Sequence, residues 1–308
     1  MKLLRNHVFW TVLSVFFACS QLQAGTLVLS SKFVNDNKDR ATITIQLEVD
    51  EHLTHAHKID KGGDDGDVHM AGRADEVRLP LVAEILNAAK ETSSMQLLNQ
   101  SSAASKIAVK GVWRLWFEHP SPDQMIQGNT VAKPINSNPD HVFEIHPITQ
   151  FGNNSVVDSF VPIANKTTHY TAYPAATAFP KYEALKSTIK NNGSAISITS
   201  TKAGYNYAEF IIELAAKPTA VSDGFLVLAK IFDVSDEEEP VVSDLRRMVF
   251  VKGTPPSDAL NGLGKGDHLH VMGIPRVNLT EVLAAAKAGK TVNTRLPYEM
   301  IIVAVFPE

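Results

Sequence analysis

The chain has 308 residues, a formal net charge of −4 and one cysteine, Cys19. This length is enough to bury substantial cores and suggests two domains. The mild negative charge is not that of a general phosphate-backbone binder, which needs a concentrated positive surface. A single cysteine excludes an intramolecular disulfide framework, an iron–sulfur cluster and a cysteine zinc site.

The first 24 residues have the pattern of a secretory signal peptide. Lys2 and Arg5 precede an apolar run from Val8 to Ala18, and Ala24 supplies a small residue at the expected cleavage position. The run is shorter than the ~20 residues needed to span a bilayer. We expect an exported protein, periplasmic or extracellular, with no transmembrane span once the leader is removed. Two alternatives are a buried N-terminal helix and a lipoprotein signal ending at Cys19.

The first half of the chain predicts three strands, a helix and two further strands. The clearest strand alternates with period two and places Ile43, Ile45, Leu47 and Val49 on one face. The predicted elements are strands at 41–49, 64–70 and 79–85, a helix at 91–100, and strands at 106–117 and 141–148.

The second half repeats this order without sequence identity. Predicted strands lie at 207–214, 225–232 and 246–251, followed by a short helix at 256–263, a strand at 268–273, a helix at 279–289 and a strand at 299–305. Between the halves, the segment rich in Asn, Thr, Ala and Pro reads as a linker with a possible helix at 180–189.

This element order resembles that of the OB-fold, a small five-stranded Greek-key barrel. The segment Lys265-Gly-Asp-His-Leu-His-Val-Met-Gly273 is similar to the fourth strand of single-strand-binding OB domains, and Lys106–Gly111 is a looser version. The predicted fold class is therefore all-β with short helices, as two OB-like barrels in tandem; a generic two-sheet sandwich is the alternative. The predicted divisions are a signal peptide at 1–24, a first barrel at 25–151, a connecting segment at 152–194 and a second barrel at 195–308.

Acidic residues and histidines cluster in the first half, where seven of the eleven histidines lie between His52 and His146. Because strand side chains alternate, Asp65, Asp67 and His69 should share one face, as should Glu144 and His146. Hard carboxylates with imidazoles suit a divalent metal ion. The predicted metal ligands are Asp65, Asp67, His69, Glu84, His119 and His146, and the pair His55 and His57 adds two imidazoles nearby. The alternative is an ordinary acidic turn with histidines that bind nothing.

Asp65-Gly66-Asp67 is also similar to the turn that holds calcium in the thermonuclease branch of the OB-folds. That resemblance implies a metal beside a phosphodiester, and only Asp65 and Asp67 match its motif. For a metal-dependent hydrolase the acid–base candidates are His69, His119 and His146, taken from the polar cluster itself. The sequence departs from the branch at Val68, where a threonine is expected, and in the spacing of Arg73 and Arg78.

Three functions remain open. The first is an exported binding protein that captures a glycan, a peptide, a single-stranded nucleic acid or an envelope protein on a barrel face. Its predicted ligand-binding residues are Trp113, Trp116, Arg114 and Glu144, with at most one tryptophan offering a stacking platform because the two lie on opposite strand faces. The others are a metal-dependent phosphodiester hydrolase and a structural adaptor of the envelope.

Overall fold

The computed structural model describes residues 24–60, 64–101, 105–164 and 172–307. The predicted leader up to residue 23, including Cys19, lies outside these residues. Strands make up 45% of the chain and helices 17%, so the mostly-β prediction is confirmed. Among the described residues, no helix combines the length and apolar character needed to cross a membrane.

The strands, numbered along the chain, are β1 (Ala24–Ser30), β2 (Thr42–His52), β3 (Val68–Arg73), β4 (Leu81–Ile85), β5 (Lys106–His119), β6 (Met125–Ile126), β7 (His141–Phe151), β8 (Asn154–Ser155), β9 (Tyr173–Pro174), β10 (Lys186–Asn191), β11 (Ala195–Thr201), β12 (Ala208–Leu214), β13 (Thr219–Val221), β14 (Gly224–Phe232), β15 (Arg246–Val251), β16 (His268–Val277), β17 (Thr291–Arg295) and β18 (Tyr298–Val305). The helices are α1 (Ser31–Asn37), α2 (Thr92–Gln100), α3 (Ala175–Ala184), α4 (Pro255–Asp258) and α5 (Leu279–Ala288).

Two closed five-stranded barrels form the body of the protein. The first has the order β4-β3-β2-β5-β7 and is closed by parallel pairing of β4 with β7. The second has the order β14-β15-β18-β16-β12, in which β15 and β18 run parallel, and is closed by pairing of β12 with β14. Each barrel carries a helix, α2 or α4, between its third and fourth strands. The two strand orders are equivalent and are compatible with the OB-like barrels predicted.

Period-two alternation explains why most barrel strands form near the predicted positions. The predicted strand at 64–70 is an exception: β3 begins only at Val68, because Gly66 lies in a turn with φ of +65°. In β2, Ile45, Leu47 and Val49 are buried on one face. The register of the β16–β18 pair shifts at Met272/Gly273, at the glycine that ends the segment similar to the fourth strand of single-strand-binding OB domains. Gly266 has φ of +89° in the turn before β16, which only glycine adopts readily.

A third sheet, not predicted from the sequence, has the order β17-β10-β11-β1-β6. It combines the N-terminal strand β1, the β10–β11 hairpin, and one short strand from the connections within each barrel, β6 and β17. The predicted helix at 180–189 ends at Ala184. The β-branched run Thr188-Ile189 belongs instead to β10, which is paired with β11 on one side and β17 on the other.

The two barrels pack directly on one another through an apolar layer and buried polar contacts. Residues of both barrels, among them Val112, Tyr207 and Ile274, belong to one buried apolar cluster. Asp223 of the second barrel accepts hydrogen bonds from the backbone N–H groups of Ala41 and Thr42 at 3.0 and 2.8 Å. Because β5 and β16 lie at this contact, residues of β5 that would face solvent in an isolated barrel are covered.

Candidate metal centre

A polar cavity of about 190 Å³ is lined mainly by residues of the first barrel and also by Asn206, just before β12 of the second. Its lining carries more carboxylates than basic groups. The lining residues are His57, Lys58, Asp64, Asp65, Asp67, His69, Glu84, Glu118, His119, Asn138, Glu144 and Asn206. Such an excess of carboxylates around a small cavity favours a cation.

The turn before β3 positions the two aspartates. Gly66 between them has φ of +65°, and a Cβ there would lie 2.7 Å from the Ile59 side chain, so glycine is required. The backbone N–H of Asn87, after β4, donates to the carbonyl of Asp65 at 3.2 Å. Asp65 and Asp67 are thereby fixed beside the end of β4.

The loop after β2 brings His57 to the same place. Its backbone N–H donates to the carbonyl of Asp67 at 2.9 Å, which continues the pairing of this loop along the start of β3. His57 Nδ1 lies 2.8 Å from Asp67 Oδ1, and His69 Nε2 contacts the other oxygen of Asp67. Ligand atoms of His57, Asp67 and His69 all lie within 4.8 Å of one another. The His57 side chain is 49% exposed, so this group opens to solvent.

A second group lies deeper, beneath the first. Cross-strand pairing sets His69 of β3 opposite Glu84 of β4, and His69 Nε2 is 3.6 Å from Glu84 Oε1. Glu84 Oε2 contacts Nδ1 of His146, which is buried on β7. His146 Nε2 lies 4.0 Å from Asp65 Oδ2. Asp65, Glu84 and His146 therefore also have ligand atoms within 4.8 Å of one another.

Tyr207 of the second barrel closes the deeper group. Its hydroxyl donates to Asp65 Oδ2 and lies 2.7 Å from both that oxygen and His146 Nε2. The deeper group is thus completed by a side chain from the other half of the chain.

The electrostatics follow from burial and from this close packing of charges. Burial alone would lower the pKa of His69, but Glu84 and Asp67 raise it to about 10. His146 behaves similarly: burial opposes its protonation, and Glu84 raises its pKa to about 9. Burial and the Asp67 carboxylate raise the pKa of Asp65 well above its usual range. Without a metal, imidazolium groups balance the carboxylates.

His119 is placed differently from the other predicted ligands. It lines the cavity, stacks on His141 with ring centroids 5.3 Å apart, and has Nε2 3.8 Å from Glu118 Oε1. Burial lowers its pKa, so the imidazole is neutral near pH 7. It belongs to neither group of candidate ligands, although the five other predicted metal residues do.

The residues predicted to bind a ligand lie inside the protein. Trp113 and Trp116 have no exposed surface, because the second barrel and α3 cover β5; neither indole offers the expected stacking platform. Trp113 Nε1 donates to the carbonyl of Arg40, and Trp116 packs against Tyr182. These contacts make both tryptophans part of the core.

Arg114 and Glu144 are also buried and contact one another as an ion pair. Arg114 Nε donates to the Pro275 carbonyl at 3.0 Å and Nη2 to Asn206 Oδ1 at 2.7 Å, so the guanidinium joins the barrels. Glu144 lines the cavity but is occupied by Arg114 and by His141, whose Nε2 is 3.2 Å away. The structure therefore gives this pair a role in packing the barrels together.

Sequence reasoning missed Tyr207, Asn206 and Asn138, and it treated His55 and His57 alike. Only His57 reaches the cavity; His55 is exposed and contacts Thr54. Strand parity could not identify Tyr207, because nothing in a single sequence links residue 207 to residues 65 and 146.

Neither the protein-family models nor the curated proteins compared with this chain match it.

Proposed function

We propose that this chain is an exported OB-like binding protein whose ligand site is the cavity between its barrels, with a divalent metal ion held by His57, Asp67 and His69. The observation that carries the proposal is the convergence of two imidazoles and one carboxylate at the wall of a polar cavity. Two histidines and a carboxylate that leave positions open are a ligand set for zinc, iron or manganese. The apolar leader supports export, and the strand order supports the OB-like assignment.

The cavity has room for a ligand beside the metal. The amide oxygen of Asn138 is buried without a hydrogen-bond partner in a residue that lines the cavity. A buried acceptor left unpaired costs about 1–3 kcal/mol. A metal-bound water or a ligand N–H group would satisfy it. A small polar ligand, or one polar end of an oligomer, fits this volume.

Replacing His57 with alanine should weaken metal binding by at least ~100-fold, because even losing an outer-shell partner of a metal ligand costs about 10–100-fold. The measurement is calorimetric titration of Zn²⁺ and Mn²⁺ into chelator-treated protein, together with elemental analysis of protein purified without chelator. His55→Ala is the matched control, since it removes an exposed imidazole two residues away. Absence of metal from the wild type, or equal affinities of the two variants, would refute the proposed site.

Metal-dependent hydrolysis of a phosphodiester is the second candidate, and His119 favours it. A neutral imidazole on the wall of the same cavity can act as a general base. We expect His119→Gln to lower the hydrolysis rate of an activated phosphodiester by about 10²–10⁴-fold, the usual contribution of such a group. Metal affinity measured on the same sample should stay within a few-fold of the wild type. A metal-loaded wild type without hydrolysis leaves binding as the function.

A further inference from the structure

The deeper group of Asp65, Glu84 and His146 has features of a metal site of its own. Two carboxylates and one imidazole, from the turn before β3, from β4 and from β7, have ligand atoms within 4.8 Å of one another. All three are at most 9% exposed. Buried charges are normally paired or coordinate a metal.

Glu84 joins this group to the outer one. One of its oxygens lies 3.6 Å from His69 Nε2, and the other contacts His146. The groups also meet along the chain, where the backbone N–H of Asp67 donates to Asp65 Oδ1 at 3.2 Å. In two-metal sites the ions lie about 3.5–4 Å apart. A carboxylate with one oxygen toward each group has the position of a bridging ligand.

The charges of the combined set suit two divalent ions. When the three imidazoles of His57, His69 and His146 are neutral, the carboxylates of Asp65, Asp67 and Glu84 carry three negative charges. One divalent ion leaves the set negative, whereas two bring it to a single positive charge. The Glu118 and Glu144 carboxylates, on the cavity wall, and the Tyr207 hydroxyl lie around the set.

A third group, formed by Glu84, His141 and Glu144, is not suited to bind a metal ion. Its ligand atoms are equally close, but the guanidinium of Arg114 contacts Glu144. A metal ion there would be placed beside a buried, permanently charged cation. Among the residues that the structure describes, the contact with Arg114 therefore leaves the other two groups as the candidate metal sites.

We propose that a second divalent metal ion binds to Asp65, Glu84 and His146, so that a dinuclear centre lies at the cavity wall and beneath it, with Glu84 as the bridging carboxylate. This inference rests on the metal site proposed above. Tyr207 is a positioning residue for the inner ion, because its hydroxyl orients both His146 and Asp65. Paired ions of this kind suit ligands with phosphate or carboxylate oxygens, which can contact both metals.

The test is to load chelator-treated full-length protein with Mn²⁺, remove unbound ion, and measure Mn²⁺ per chain together with the low-temperature electron paramagnetic resonance spectrum. We expect two ions per chain and a spectrum of exchange-coupled Mn²⁺. Glu84→Gln should lose at least one ion and the coupling. The matched control is Glu209→Gln, which alters a carboxylate paired with His270 at 2.8 Å on the second barrel, and it should keep both.

One ion per chain without coupling overturns the dinuclear centre and leaves the outer site intact, whereas no bound ion refutes both. Two ions without coupling contradict the bridging role of Glu84. If Glu84→Gln does not fold, the stoichiometry and spectrum of the wild type still decide the question.

Discussion

Replacing Glu299 with glutamine is expected to lower the free energy of unfolding by about 3–5 kcal/mol, the usual cost of breaking a buried ion pair by removing one partner. Glu299 and Arg276 face one another across β18 and β16, and neither is exposed. Arg276 Nε donates to Glu299 Oε1 at 2.7 Å, and Arg247 contacts the other carboxylate oxygen. The substitution removes the counter-charge that Arg276 contacts and leaves Arg247 with Asp39 alone, whose Oδ1 lies 3.5 Å from Nη1.

The effect should extend to the contact between the barrels. Arg276 lies over the Trp113 ring, 3.6 Å from its centroid, and donates to the carbonyls of Arg40, Ala41 and Trp113. A displaced Arg276 would release these bonds to the first barrel. Urea denaturation followed by far-UV circular dichroism measures the free energy of unfolding. Tryptophan fluorescence in the same titration reports the loss of the contacts around Trp113 between the barrels.

The control for this prediction is an exposed ion pair on the second barrel. Lys230 Nζ lies 2.9 Å from Glu213 Oε1, and exposed pairs contribute only about 0–1 kcal/mol. Glu213→Gln should therefore leave the unfolding midpoint almost unchanged. If Glu299→Gln lowers the free energy of unfolding by less than about 1 kcal/mol, the contacts of Arg276 do not hold the barrels together.

Replacing Glu144 with glutamine is also expected to lower the free energy of unfolding by about 3–5 kcal/mol. The substitution leaves the buried Arg114 guanidinium with only the more distant Glu118 carboxylate, 3.7 Å from Nη2, and removes the carboxylate beside His141 Nε2. The double variant Arg114→Met/Glu144→Gln should recover part of the loss, because it removes the uncompensated charge as well. The free energies of unfolding of the two single variants, the double variant and the wild type form the measured cycle.

The difference in unfolding free energy between the wild type and Glu144→Gln should depend on pH, with a defined sign. Burial opposes ionisation of Glu144, but Arg114 and then His141 outweigh it and hold the pKa well below its ordinary value of 4.5. A carboxyl whose pKa is lowered by folding contributes stability that is complete above the unfolded pKa and is lost as the pH falls toward the folded pKa. The advantage of the wild type over Glu144→Gln should therefore persist from pH 7 to about 4.5 and shrink below it. Unchanged stability in Glu144→Gln would refute the packing role assigned to the Arg114–Glu144 pair.

Local periodicity determined the barrel strands of this protein. Strand 246–251 was predicted with the observed bounds, and 225–232 and 299–305 differ by one residue, because alternating apolar side chains need a barrel interior. The same alternation predicted that Asp65, Asp67 and His69 share one face, as do Glu144 and His146. Only the structure shows that ligand atoms of His57, Asp67 and His69, and those of Asp65, Glu84 and His146, come together. The third sheet escaped prediction, because its polar Ser/Thr-rich strands carry a weaker pattern.

Only the tertiary structure decided what the site contains and what it does not. Helix α3 covered Trp116, and packing of the second barrel against β5 buried Trp113 and Arg114. Alternation along a strand predicts instead that every second side chain is exposed. The same packing placed Tyr207 on Asp65 and His146, 142 and 61 residues away. Strand parity determines which side chains share a face of one strand. The contact between the two barrels depends on how the barrels are placed relative to one another, and alternation within a strand carries no information about that placement.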